Sequence, residues 1–170
     1  MNQSVQWLNR LPAARARAEL LKSCGSRNWA RQMTEARPFQ NLDDVLEKAG
    51  NIWRSLREED WLEAFRTHPK IGEKKAADVQ PAEARKWSAQ EQSGIEGAAA
   101  ETTAALADEN REYERRFGFI FIVCASGKTS EEMLAILRHR LQNDRETELI
   151  GAAEEQRKIT TLRLQKLLNQ

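Results

Sequence analysis

Apolar residues recur every three or four positions along most of the chain, which is the spacing of a helix with one buried face. A clear stripe lies after Asn41 and Asp43, either of which can serve as an N-cap. Its apolar members are Val45, Leu46, Ile52, Trp53 and Leu56. This pattern predicts an amphipathic helix over the stripe.

Proline and glycine predict helix ends in the first third of the chain. Pro12 is placed to begin a helix over residues 13–22, and Gly25 is a plausible stop. A short helical segment over residues 29–36 is ended by Arg37-Pro38, because the residue before a proline disfavours helical geometry.

The same rule bounds the next helix, which opens at Glu59-Asp60 and carries Trp61, Leu62 and Phe65 on its apolar side. It has to end near Thr67, because Pro69 moves His68 out of helical geometry. Residues 81–116 are helical in pattern again, and we predict one long helix there.

Two further helices are predicted near the C-terminus. Thr129 or Ser130 can cap the first, and Glu132 is spaced to complete a capping box on Thr129. A final helix is expected over residues 145–168.

Residues 117–125, Phe-Gly-Phe-Ile-Phe-Ile-Val-Cys-Ala, interrupt the helical pattern. By periodicity alone they resemble a buried strand, but no second strand pattern exists to pair with them. We therefore expect a buried extended connector. The predicted fold is all-α, an irregular multi-helix bundle in a single domain over residues 1–170.

Composition narrows the function classes. Hydrophobic residues make up 40% and charged residues 31% of the 170, which is typical of a soluble globular protein. A formal net charge of +1 gives no electrostatic footprint for nucleic acid or anionic membrane. No apolar run approaches the roughly 20 residues that span a bilayer, and neither a secretory signal nor a peroxisomal tripeptide is seen. These features favour a cytoplasmic protein that binds a small molecule or a protein partner.

His68 is the first candidate for chemistry. It follows a helix end in His-Pro-Lys-Ile-Gly, where Pro69 and Gly72 could hold it facing a cleft. The plain alternative is a histidine that caps its helix. The other histidine, His139, lies between two arginines on an amphipathic helix and is interpreted as a surface residue.

A second candidate is the trio Ser88, Glu91 and Gln92, whose i, i+3 and i+4 spacing puts a hydroxyl, a carboxylate and an amide on one helix face. Such a face could bind a flat heterocycle, although an ordinary solvated surface is the commoner case. The third candidate, Arg163, stands in an apolar helical row. It could snorkel to the surface, pair with an internal carboxylate or bind a substrate carboxylate.

Other site types have little support. No glycine-rich phosphate loop, zinc constellation or serine nucleophile elbow is present in the sequence. Cys24 and Cys124 resemble reduced, partly buried thiols, and a Cys124–His68 pair is disfavoured because an apolar setting raises the thiol pKa. The tryptophans are interpreted as core anchors. They are Trp7, Trp29, Trp53, Trp61 and Trp87.

In their order and spacing, these motifs resemble the family of 2-oxo-4-hydroxy-4-carboxy-5-ureidoimidazoline (OHCU) decarboxylases of urate breakdown. The resemblance runs from Leu8-Asn9 to the tail and includes His68-Pro69. Further matching positions are Trp29, Arg37-Pro38-Phe39, Ser88, Glu91-Gln92, Gly94, Asn110, Tyr113, Arg116-Phe117-Gly118-Phe119, Phe121, Arg140-Leu141, Asn143-Asp144, Glu148-Leu149, Ile159 and Leu162-Arg163-Leu164. Where relatives often carry proline, this chain has Ile120.

The resemblance implies a homodimer without metal or organic cofactor that forms (S)-allantoin and CO2. It makes His68 the catalytic acid/base and Glu91 its carboxylate partner. The implied substrate-binding residues are Pro69, Ser88, Gln92, Arg163 and the backbone of Phe121, Ile122, Val123, Cys124 and Ala125. No transthyretin-like hydrolase domain is attached, so only the decarboxylation step is expected. The competing hypothesis is a non-enzymatic helical adaptor that binds a partner protein.

Overall fold

The computed structural model describes residues 3–71, 81–93 and 99–169, and within these ranges the chain forms α-helices and no strand. The predicted all-α class is confirmed. The helices are α1 (Gln3–Arg10), α2 (Ala13–Leu21), α3 (Arg27–Glu35), α4 (Leu42–Ser55), α5 (Glu58–Arg66), α6 (Ala82–Glu91), α7 (Ala100–Phe117), α8 (Ser130–Arg140) and α9 (Arg145–Leu168). No helix in the described ranges is long and apolar enough to cross a membrane.

Side-chain caps begin several of these helices, as predicted. Asn41 is the N-cap of α4 and accepts a hydrogen bond from the backbone N–H of Asp44 at 2.9 Å, which decides between the two candidates. Thr129 and Glu132 form the predicted capping box at the start of α8. Local hydrogen bonding therefore fixes these helix starts.

The prediction of one long helix over residues 81–116 is wrong. Helix α6 ends at Glu91, where its C-cap Gln92 leaves helical geometry, and α7 starts after Ala99 in an extended conformation. Ala99 has no side-chain acceptor for capping, so the sequence gives no start signal there. Gly94 and Gly97, outside the described residues, have low helix propensity, which the apolar pattern alone did not reveal.

The extended connector after α7 is confirmed. Gly118 ends the helix with a φ of +81°, a left-handed conformation that glycine adopts without strain, and its N–H donates to the Glu114 carbonyl at 2.9 Å. Residues 119 and 121–125 are then buried without forming a strand.

Residue contacts divide the chain into two compact units. Unit 1 comprises residues 1–64 and 157–170, and within it α3 packs against both α2 and α4. Unit 2 comprises residues 65–156, and within it α7 packs against α8. The single domain over residues 1–170 stays a prediction.

The interpretation of all five tryptophans as core anchors is wrong for one of them. Trp29, Trp53 and Trp87 are buried, and Trp61 is half-buried with its indole N–H donating to the Trp53 carbonyl at 2.9 Å. Trp7 is 41% exposed and lines a surface pocket with Gln6, Arg10 and Leu11. Val5 and Leu8 form the buried side of α1, and Trp7 lies on another face of this helix.

Candidate functional site

His68 lies immediately beyond α5, as its sequence context predicts. Its backbone N–H donates to the Phe65 carbonyl at 3.1 Å, which closes the last turn before Pro69. Phe65 is buried and packs against Phe119 of the connector, with ring centroids 5.7 Å apart. His68 and Pro69 are half-buried at this anchored turn, and Gly72 falls outside the described residues.

The His68 imidazole is held by a residue that the sequence interpretation missed. Its Nε2 lies 2.5 Å from the Oε1 atom of Gln156 on α9. An amide oxygen only accepts, so this contact is a hydrogen bond when Nε2 carries a proton. The Gln156 side chain is fully buried, three and four residues after the buried Ala153 and Ala152. A glutamine inside an apolar helical row was therefore the available signal, the same signal that singled out Arg163.

The C-terminal turn of α6 carries the predicted polar trio. Ser88 is buried, so at this position the face is not exposed to solvent. Glu91 is half-buried, and so is Gln92, whose backbone N–H donates to the Ser88 carbonyl at 3.1 Å. The hydroxyl, carboxylate and amide thus share one helix end in unit 2, the unit that also contains His68.

The connector residues Phe121–Ala125 are all buried, and the Cys124 thiol among them has a shifted pKa. Burial raises the pKa of the Cys124 thiol; Lys128 opposes this, whereas the charges of Glu155 and Glu91 raise the pKa further. A raised pKa disfavours the thiolate, which argues against Cys124 as a nucleophile.

A buried network fixes the connector from α8. The Arg140 guanidinium donates to the Ile122 carbonyl at 2.5 Å and to the Glu148 carboxylate at 2.8 Å. The Tyr113 hydroxyl also donates to Glu148. Burial raises the pKa of Tyr113, so the phenol keeps the proton that it donates.

Arg163 belongs to unit 1 and is 1% exposed, so it does not snorkel to the surface. It lies close enough to Cys24 to favour the thiolate, while burial raises the pKa of that thiol to about 12. The remaining alternatives for Arg163 are an internal carboxylate and a substrate anion. His139 is exposed on α8, as predicted.

Unit 2 contains a half-buried imidazole that contacts Gln156, a helix end that carries a carboxylate, and a buried backbone connector. These groups can move protons and orient a polar ring. Over the described ranges, no group of three or more His, Cys, Asp or Glu side chains is arranged to hold a metal ion.

Comparison with known proteins gives a consistent result. The sequence model for OHCU decarboxylase matches residues 9–165. The chain is 39% identical over 147 residues to the uric acid degradation bifunctional protein TTL of Arabidopsis thaliana, covering 86% of this chain and 45% of that protein. The chain therefore spans less than half the length of this relative.

A single-function relative is matched over more of its length. The chain is 35% identical to the 2-oxo-4-hydroxy-4-carboxy-5-ureidoimidazoline decarboxylase of Amia calva, covering 78% of this chain and 75% of that one. A crystal structure of an OHCU decarboxylase in the presence of (S)-allantoin has a TM-score of 0.77 and 39% identity, covering 89% of this chain and 98% of that one.

Proposed function

Because the chain belongs to the OHCU decarboxylase family, we propose that it is a carboxy-lyase that converts OHCU to (S)-allantoin and CO2 in urate degradation. The observation that carries this proposal is the orientation of His68, a half-buried imidazole fixed by Gln156 in the unit that also holds Glu91. A non-enzymatic adaptor would not require a histidine held in this way.

The chemistry of the substrate suits such a site. When the bond between the ring carbon and its carboxylate breaks, CO2 leaves and the electron pair forms a double bond to the neighbouring ring carbon. The electrons of the adjacent C=N bond move to its nitrogen, which takes up a proton. The hydroxyl proton is then lost as the hydroxyl becomes a carbonyl, and the neighbouring carbon is protonated on one face.

In this sequence of steps the substrate supplies its own electron sink, so the reaction requires no pyridoxal or thiamine. The protein has to orient the ring, to accept the proton of the hydroxyl and to deliver a proton to one face of the ring carbon. In the proposal, His68 and Glu91 handle these protons, and delivery to a single face gives one enantiomer of allantoin.

The other side chains are proposed to bind the substrate. Ser88 and Gln92 would hydrogen-bond the ring or its ureido group, Pro69 would line the pocket, and the backbone of residues 121–125 would bind ring N–H and C=O groups. Arg163 would bind a carboxylate or carbonyl, since its guanidinium fork matches such groups.

Expectations about location, assembly and partners accompany the proposal. The protein is expected to be cytoplasmic and to form a homodimer that acts on a small molecule, with neither nucleic acid nor membrane as a partner. Sedimentation velocity measures the dimer directly, and a single species at the 19.5 kDa of one chain would contradict it.

A coupled ultraviolet assay tests the activity. Urate oxidase and hydroxyisourate hydrolase generate the substrate, and this protein should accelerate its decay to optically active allantoin. We expect His68→Asn to lose about 100- to 10,000-fold in kcat, the usual contribution of a positioned acid or base.

The matched control is His139→Asn, which changes the exposed histidine and should leave turnover unchanged. Near-normal turnover by the His68 variant would remove the imidazole from the mechanism. A wild-type protein that leaves the substrate decay and its optical outcome unaltered would favour the adaptor hypothesis.

A further inference from the structure

The turn that carries His68 is fixed to its surroundings on both sides of the histidine. Before it, Phe65 packs on Phe119. After it, the Lys70 ammonium pairs with the Glu114 carboxylate of α7 at 2.7 Å. The residues around His68 therefore contact their surroundings on both sides, whereas the imidazole itself can rotate about its own side-chain bonds unless its ring is bound.

Gln156 removes that freedom. Its Oε1 accepts from His68 Nε2 at 2.5 Å, and its side chain is fully buried on a helix of 24 residues. A buried amide oxygen needs a donor, since leaving it without one costs free energy. The contact orients the ring, and because an amide oxygen only accepts, it favours a proton on Nε2.

The identity of the acceptor matters for the acid–base role. In neutral imidazole one nitrogen carries the proton and the other carries the lone pair. If Nε2 donates to Gln156, then Nδ1 is the nitrogen with the lone pair. A carboxylate at this place would stabilise the imidazolium by its negative charge. An amide is uncharged, so it favours the Nε2–H tautomer of the neutral ring without this effect.

We propose that Gln156 is a positioning residue for His68, which holds the Nε2–H tautomer so that Nδ1 serves as the proton acceptor of the reaction. This inference rests on the proposed decarboxylase function, which it deepens by assigning a tautomer and the residue that sets it. Gln156 acts through the histidine.

Nitrogen NMR on histidine-labelled protein reads the contact directly, because the chain has only two histidines and a His139→Asn variant assigns their signals. We expect a slowly exchanging Nε2–H for His68 and a Nδ1 shift typical of an unprotonated nitrogen. In Gln156→Leu the slowly exchanging signal should disappear. Gln156→Glu keeps an acceptor oxygen of the same reach and should retain it.

The coupled ultraviolet assay measures the effect of the same variants on kcat and KM. Loss of one hydrogen bond should lower kcat of Gln156→Leu by about 3- to 10-fold, with KM nearly unchanged. The matched control is Gln165→Leu, which removes a half-buried glutamine farther along the same helix and should alter neither the NMR signals nor kcat. A thermal melt confirms that each variant is folded.

The outcomes separate this inference from the function it rests on. An active wild-type protein with an Nδ1–H tautomer, or a folded Gln156→Leu variant with unchanged kcat, would overturn the role of Gln156 and leave the decarboxylase standing. A wild-type protein without decarboxylase activity would overturn the proposed function. The catalytic role of the His68–Gln156 contact would then be overturned as well.

Discussion

At the scale of single residues, the most informative positions are long polar side chains inside apolar helical rows. Gln156 and Arg163 both lie on α9, and both are at most 1% exposed. Burying an amide or a guanidinium is costly unless a partner compensates. A buried glutamine or arginine therefore indicates a position where the side chain makes a specific polar contact and does not serve only to fill the core.

Arg163→Met tests which contact that is. If the guanidinium binds the substrate, removing it should raise KM and lower kcat/KM by about 10- to 150-fold, the worth of a hydrogen bond to a charged group. The measurement is steady-state kinetics in the coupled assay, accompanied by a thermal melt.

Lys166→Met is a suitable control, because it removes a half-buried cation three residues farther along the same helix. It should leave kcat/KM unchanged. A structural role for Arg163 would give a different result: the thermal transition of the methionine variant would collapse, while the folded remainder kept its substrate affinity.

At the scale of elements, the connector over residues 118–125 depends on α8. A buried extended segment has no ladder to satisfy its backbone, so its carbonyls need other donors. Arg140 provides one for Ile122 and at the same time pairs with the buried Glu148. The Arg140 guanidinium thus joins α8 to both the connector and the Glu148 carboxylate.

Arg140→Met should destabilise unit 2 strongly, because it leaves the Glu148 carboxylate buried without its ion pair. Breaking a buried pair in this way costs about 3–5 kcal/mol in the free energy of unfolding. Arg138→Met is the matched control on the same helix, since its pair with Glu109 is exposed and contributes little to stability. Urea unfolding measures both, and equal losses would contradict the proposed role of the network.

At the scale of the whole molecule, the chain order and the spatial grouping differ. Residues 157–170 belong to the same compact unit as residues 1–64, although nearly a hundred residues of chain lie between them. Cys24 shows the consequence: its thiol near the N-terminus is influenced by Thr160 and Arg163 from the last helix. The Cys24 thiol is thus buried by segments from both ends of the chain. We expect its ionisation to lower the free energy of unfolding.

Burial raises the pKa of Cys24 from 9.0 to about 12. The stabilising contribution of the neutral thiol is fully present below pH 9.0. Above this pH the unfolded chain ionises first, so the contribution declines, and it is lost as the pH rises through the folded pKa. Between these values the slope is about 1.4 kcal/mol per pH unit for one proton.

Urea unfolding in reducing buffer at several pH values from 8 to 11 measures this. The wild-type free energy of unfolding should fall more steeply than that of Cys24→Ala, whatever the offset caused by the smaller side chain. Parallel pH dependences of the two proteins would show that the thiol ionises equally in the folded and unfolded states.

The sequence by itself determined what depends on neighbours along the chain. Helical periodicity, Asn41, the Thr129–Glu132 capping box and Pro69 act over one or two turns, so they predicted the helix class and most helix ends. Pattern also singled out His68 and Arg163 as unusual. It failed between α6 and α7, where Ala99 starts a helix without a capping side chain.

Tertiary structure alone decided which side chains meet. The contact of His68 with Gln156 joins residues 88 positions apart, and that of Arg140 with Ile122 joins positions 18 apart. Such pairs depend on how helices pack, and packing depends on many weak contacts that no short pattern contains. For that reason the candidate residues could be predicted from the sequence, whereas the partner that orients the histidine could not.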